Sequence, residues 1–153
     1  MQTPSLLEDF PILISQNVIW GEMDVFQHVN NVTYFRYFEN VRMALFIATE
    51  ICDEKGAVVG DIGPILGETS CRFKAPLTYP DRIIIGARID DVGEDRFNIH
   101  QVIYSTALNR IAAEGKALIV SYDYGALKKA KLPERWLHNF EKHRRQSAPK
   151  AMP

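Results

Sequence analysis

The sequence predicts an α+β domain in which one antiparallel sheet curls around a single long, very apolar helix. Three observations carry that reading. Residues 31–49 repeat apolar side chains at three- and four-residue steps, the spacing of a helix face. From residue 65 onward the period changes to two, the spacing of strands. Short turn signals separate the later segments, and short turns favour antiparallel neighbours.

A chain of 153 residues fits one domain over residues 1–153, and 46% hydrophobic content is enough to pack its core, expected over residues 12–140. A net charge of −1 gives no global field for nucleic acid or an anionic membrane, so neither is expected as a partner. No apolar run approaches the roughly 18 residues that span a bilayer. The N-terminus lacks a basic segment and carries Glu8 and Asp9 beside its apolar residues, against a secretory signal. Two cysteines, Cys52 and Cys71, make neither a disulfide framework nor a zinc knuckle, and a reducing, cytoplasmic setting is expected.

The elements follow in order. Residues 12–19 are apolar-rich and read as a first strand, and a loop over residues 20–30 follows. In the helix, Tyr34, Phe38, Val41, Leu45 and Ala48 form one stripe, which Val32, Phe35 and Phe46 widen. Thr33, Arg36, Glu39 and Asn40 leave a narrow polar side, so burial over most of the circumference is expected. In the next strand Ile65, Gly67, Thr69, Cys71 and Phe73 fall on one face, opposite Glu68, Ser70, Arg72 and Lys74. Pro76, Pro80 and Asp81 break the chain before Ile83, Ile85, Ala87 and Ile89 alternate with polar residues. Residues 97–104 and 111–124 make two further strands, joined by a reversal over residues 107–110. Pro133 can open a short amphipathic helix carrying Trp136, Leu137 and Phe140, and residues 144–153 are expected to be disordered. A sheet with open edges and so apolar a helix predicts a homodimer or homotetramer.

The chemistry concentrates in residues 20–39, WGEMDVFQHVNNVTYFRYFE. Glu22, Asp24, His28, Asn30 and Asn31 gather just ahead of the helix. Free backbone N–H groups at a helix start stabilise developing negative charge, so a carboxylate facing them makes a workable hydrolytic site.

This segment resembles the hotdog-fold acyl-CoA thioesterases, in particular the group of hydroxybenzoyl-CoA thioesterase and the small bacterial acyl-CoA thioesterases. The portion from His28 to Tyr34 is also similar to the plant acyl-carrier-protein thioesterases. Phe26 stands where the plant enzymes carry an asparagine, so the bacterial arrangement is the nearer one. Phe73-Lys74-Ala75-Pro76-Leu77, Tyr79-Pro80-Asp81 and Ala113-Glu114-Gly115-Lys116-Ala117 match the family's later strand junctions.

The resemblance implies a thioesterase that cleaves acyl-CoA to free acid and CoA, without metal or redox cofactor. Acyl-carrier protein is an alternative carrier. Asp24 falls at the family's catalytic aspartate, as nucleophile or as general base. Asn31 enters the catalytic set through its backbone N–H, directed at the thioester oxygen, while its side chain serves the helix start. His28 either hydrogen-bonds the loop into shape or shares proton transfer with Asp24. Candidate substrate contacts are Asn30, Tyr34 and Glu39. For each a structural reading stands beside that role: a cap for Asn30, core packing for Tyr34, an ion pair with Arg36 or Arg42 for Glu39. Lys128, Lys129 and Lys131, with Arg72, Lys74 and Arg82, are unassigned candidates for the CoA phosphates. Two other readings remain on the same fold: an enoyl-thioester hydratase or dehydratase using Asp24 and His28, and a non-catalytic acyl-CoA-binding protein.

Overall fold

The computed structural model describes residues 3–146. Its strands are β1 (Ile12–Asn17), β2 (Ile62–Phe73), β3 (Arg82–Asp90), β4 (Arg96–Ser105), β5 (Arg110–Asp123) and the two-residue β6 (Lys128–Lys129). Its helices are α1 (Asn31–Ala48) and α2 (Glu134–Gln146). The strands pair antiparallel in the order β1-β3-β4-β5-β2, with β6 against the end of β5. β1 and β2 are therefore the edges. The expected curled sheet with its central helix is present, and this is the hotdog arrangement.

The alternation in β3 places Ile83, Ile85 and Ala87 on the inner face, where each is fully buried. Across the register they meet Ile103 and Gln101 of β4, and Tyr34, Tyr37, Phe38, Val41 and Leu45 of α1 fill the space above. Gly115 of β5 lets the helix come this close. A Cβ there would lie 2.5 Å from Phe38 Cε2 and 2.9 Å from the Ser70 carbonyl oxygen. A left-handed Glu50 (φ 62°) ends α1 just past Thr49, whose N–H and hydroxyl both bond the Leu45 carbonyl.

Four sequence expectations are corrected. The helix is buried over about half its circumference in a single chain, with Val32 and Met43 exposed on the other half. In β2 a bulge at Gly67 shifts the register between Leu66 and Glu68. Leu66, not Ile65, therefore shares the inner face with Thr69 and Cys71, because one extra residue inverts the alternation. Leu137 is partly exposed, while Trp136 and Phe140 of α2 enter the main core. Residues 144–146 complete α2. The rest of the expected disordered tail, residues 147–153, lies outside the described residues.

One feature was not expected at all. The segment before β1 folds back over the outer face of the sheet, where Leu7 and Phe10 form a second small core with Val102 and Tyr104. Arg88 lies over the Phe10 ring, 5.1 Å from its centroid.

Candidate active site

The loop between β1 and α1 is fastened at both ends. The Val18 N–H bonds the Asp81 carbonyl at 2.9 Å, and the buried Val29 donates to the Leu77 carbonyl at 2.8 Å. A single 3-10 turn, Trp20–Glu22, opens the loop. Glu22 Oε1 accepts from the Ile19 N–H at 2.7 Å and from the Tyr37 hydroxyl at 2.8 Å. Burial, followed by the neighbouring Glu22, pushes the Tyr37 hydroxyl well above its ordinary range, so it stays a proton donor to that carboxylate. Glu22 is thus a strut between loop and helix.

From Met23 to Val29 the chain turns back on itself through a bridge between those two residues. The Asp24 N–H reaches the His28 carbonyl at 3.0 Å, and Gln27 takes a left-handed φ of 62°. Asp24 Oδ1 accepts from the Phe26 N–H at 2.9 Å, an Asx turn that holds the carboxylate in place. Its other oxygen has no partner among the described residues. Asp24 is half-buried and lines an open cleft with Trp20, Met23, Gln27, Thr78 and Tyr79. Val25 and Phe26, at the tip of the turn, are 89% and 78% exposed.

Asn30 caps α1: its Oδ1 accepts from the Val32 N–H at 3.0 Å. The cap is therefore Asn30 and not the side chain of Asn31, which is the first helical residue and exposed. The Asn31 N–H has no partner among the described residues, so the helix start keeps a free donor. Asn31 borders a second depression, with Tyr34, Phe73, Lys74 and Pro76. In the single chain Asp24 and Asn31 thus line separate concavities.

The remaining candidates are dispersed. The His28 imidazole is exposed and makes no hydrogen bond among the described residues; only its carbonyl touches Asp24. Tyr34 is buried, accepts from the Leu77 N–H at 3.0 Å and donates to the Ala75 carbonyl at 3.4 Å, tying α1 to the β2–β3 connection. Burial raises its pKa, and the Leu77 hydrogen bond opposes that in part. Glu39 is exposed and paired with Arg36 at 2.7 Å. Cys71 is half-buried and its thiol is pushed up to about 11 by burial, which makes it a poor nucleophile at neutral pH. Among the described residues no three His, Cys, Asp or Glu side chains converge as a metal site.

Sequence reasoning missed the Tyr37–Glu22 strut and the cleft walls Trp20, Thr78 and Tyr79. Tyr37 lies one turn from Tyr34 on the core side, and nothing in its spacing marks it as a partner for a carboxylate. The cleft walls come from two loops 58 residues apart (Trp20 and Thr78), a proximity that only the fold creates.

With this geometry in place, comparison with known proteins fixes the class. A family model described as the thioesterase-like superfamily matches residues 18–140. The chain belongs to that superfamily, and its reaction class is that of a thioester hydrolase. Solved structures of the same fold include a thioesterase from Thermus thermophilus complexed with coenzyme A and Zn, with 21% identity, coverage of 90% of this chain and 97% of that one, and a TM-score of 0.76. A Staphylococcus aureus protein in complex with CoA aligns with a TM-score of 0.81 at 13% identity, covering 93% and 89% of the two chains. A 1,4-dihydroxy-2-naphthoyl-CoA thioesterase from Synechocystis gives 0.73 at 19% identity, covering 84% and 94%. No curated protein matches the chain. Among the described residues no helix is long and apolar enough to cross a membrane.

Proposed function

We propose that the protein hydrolyses acyl-CoA thioesters, with Asp24 as nucleophile or general base and the Asn31 N–H as donor to the thioester oxygen. The observation that carries this reading is that one short segment supplies both a loop-held carboxylate with one oxygen free and an unengaged N–H at the start of α1. The donor is fixed before substrate arrives, so it stabilises charge on the tetrahedral intermediate without reorganisation. As general base, Asp24 takes a proton from water as that water attacks the carbonyl carbon. As nucleophile, it forms a mixed anhydride, expels the CoA thiolate and is released by water. The CoA complexes of the Thermus and Staphylococcus proteins support CoA as the carrier.

The working unit is a homodimer or homotetramer. Trp20, Val25, Phe26 and Val32 expose large apolar surface around the loop, and β2 presents an unpaired edge beside it. A second copy over this surface brings further walls to the two concavities and gives the pantetheine arm a channel between subunits, with the nucleotide at the surface. Exposed His28 acts on the loop or on substrate, not as a preformed partner of the Asp24 carboxylate. Free Cys52 and Cys71 suit a reducing cytoplasm.

A thiol-release screen over short, medium, long-chain and aromatic acyl-CoAs tests the reading. Turnover of at least one class, lost in Asp24→Asn, is the expected result; binding without turnover across the panel would sink it.

A further inference from the structure

A groove runs from the helix start along α1 beside β2, walled by Val32 and Phe35 on one side and Leu66 on the other, with Arg42 and Thr69 below. Its near end lies at the first turn of α1, where Val32 follows Asn31. Its far end is chemically unbalanced. Arg42 is only 7% exposed, yet among the described residues it has one hydrogen bond, to Gln101 Oε1 at 3.3 Å, and no carboxylate within ion-pair distance. Behind and beside it, Gln101 Nε2 and Thr69 Oγ1 are buried without partners. A guanidinium offers five N–H donors, and neither carboxylate that lines the groove, Glu22 or Glu39, is within ion-pair distance of it. Burial of an unpaired charge is costly, and here it lowers the Arg42 pKa against the weaker pull of Glu39.

The nearby carboxylates do not resolve the imbalance. Glu22 is engaged by Tyr37 and Ile19, and Glu39 by Arg36. Glu68 is the sole carboxylate of β2, and it stands opposite Leu118 on the outer face, one residue out of phase with Thr69. A second copy pairing along β2 would therefore carry Glu68 on the wrong side of the sheet. An acyl group entering from the thioester end has no such obstacle.

Building on the acyl-CoA reading above, we infer that Arg42, held from behind by Gln101 and flanked by Thr69, recognises a carboxylate at the distal end of the acyl group, so that the preferred substrates are CoA monothioesters of dicarboxylic acids. Along the axis, Asn31 and Arg42 are separated by about 16 Å at helical rise, and the arginine side chain leans back toward the N-terminus. The thioester and the distal carboxylate would thus occupy the two ends of one groove.

The test compares kcat/KM for adipoyl-, suberoyl- and dodecanedioyl-CoA with that for the matched hexanoyl-, octanoyl- and dodecanoyl-CoA. One charge-assisted contact at a buried site predicts a preference of about tenfold or more for at least one diacid. In Arg42→Met the ratio should fall toward one, and in Arg42→Lys, which keeps charge without the fork, it should fall partway. The same preference should appear in calorimetric binding of non-hydrolysable S-(carboxyalkyl)-CoA over S-alkyl-CoA thioethers. If the thioether preference holds while no acyl-CoA is cleaved, the hydrolase reading fails and this one stands. Cleavage with equal or better use of the unsubstituted chains overturns it. So does a ratio unchanged in Arg42→Met, or a loss of oligomer in that variant matched by Glu39→Gln, which would hand Arg42 to a partner's carboxylate.

Discussion

The Tyr37 hydroxyl donates to Glu22 Oε1 at 2.8 Å from a ring with no exposed surface, fastening the loop that bears Asp24 to the core of α1. The acceptor is a carboxylate and the donor is buried, so this contact belongs to the stronger kind of hydrogen bond. Tyr37→Phe should destabilise the protein by about 1–2 kcal/mol. Glu22→Gln keeps an oxygen for both donors and should cost less than about 1 kcal/mol. Urea unfolding at constant slope measures both, and a larger loss in Glu22→Gln than in Tyr37→Phe would contradict the strut.

The two asparagines at the start of α1 should separate cleanly. Asn30→Ala removes the cap and should cost about 1 kcal/mol, whereas Asn31→Ala should be near neutral and remain active. Asn31→Pro deletes the N–H proposed to meet the thioester oxygen. Proline is tolerated at a first helical position, and Asn30 already has the extended ψ of 140° that a residue before proline favours. Stability should therefore hold while turnover falls steeply. Equal turnover in folded Ala and Pro variants would remove the backbone-donor role.

Gly115→Ala tests the packing of helix on sheet. The added Cβ would sit 2.5 Å from a ring carbon of Phe38 and 2.9 Å from a backbone oxygen of Ser70. Phe38 can be trimmed but the carbonyl cannot, so Gly115→Ala should cost about 1–3 kcal/mol or more, with only partial recovery in a Phe38→Leu background. Thermal unfolding of the single and double variants reads this directly; a neutral Gly115→Ala would mean that β5 and α1 are farther apart.

Much of this fold was legible because its signals are local and periodic. The stripe from Tyr34 to Leu45 and the alternation of Ile83, Ile85 and Ala87 each declare their element without help from the rest of the chain. The bulge at Gly67 was not legible, since a glycine in a strand marks several things and only pairing with Leu118 and Ile119 shows which. The outer-face core of Leu7 and Phe10 was missed because an N-terminal segment with scattered apolar residues has no period to read. In the site, motif order placed Asp24 and Asn31 on the loop and the helix start. The division of labour between Asn30 and Asn31 depended on which residue first adopts helical dihedrals, a boundary that sequence leaves uncertain by a residue or two. The unpaired charge of Arg42 is invisible in sequence, where Glu39 sits three residues away and looks like its partner.

Asp24→Asn bears on the chemistry itself. Asn has nearly the shape of Asp, and its side-chain oxygen can still accept from the Phe26 N–H, so the turn from Met23 to Val29 should keep its form. Acyl-CoA should still bind. What is lost is the charge on the oxygen left free, and with it both attack on the carbonyl carbon and deprotonation of water. Removing a general base commonly costs 10²–10⁴-fold, so kcat should fall by at least about a hundredfold with a smaller change in KM. Glu22→Gln is the matched control, because Glu22 is committed to Tyr37 and Ile19 and its charge faces no cleft of the Asp24 side. Single-turnover measurements then separate the two roles of Asp24 in the native protein: an acyl-enzyme that traps hydroxylamine marks the nucleophile, and its absence with a solvent isotope effect marks the base. Near-native turnover in Asp24→Asn, alongside its loss in His28→Ala, would move the catalytic carboxylate elsewhere and leave Asp24 as the residue that shapes the turn.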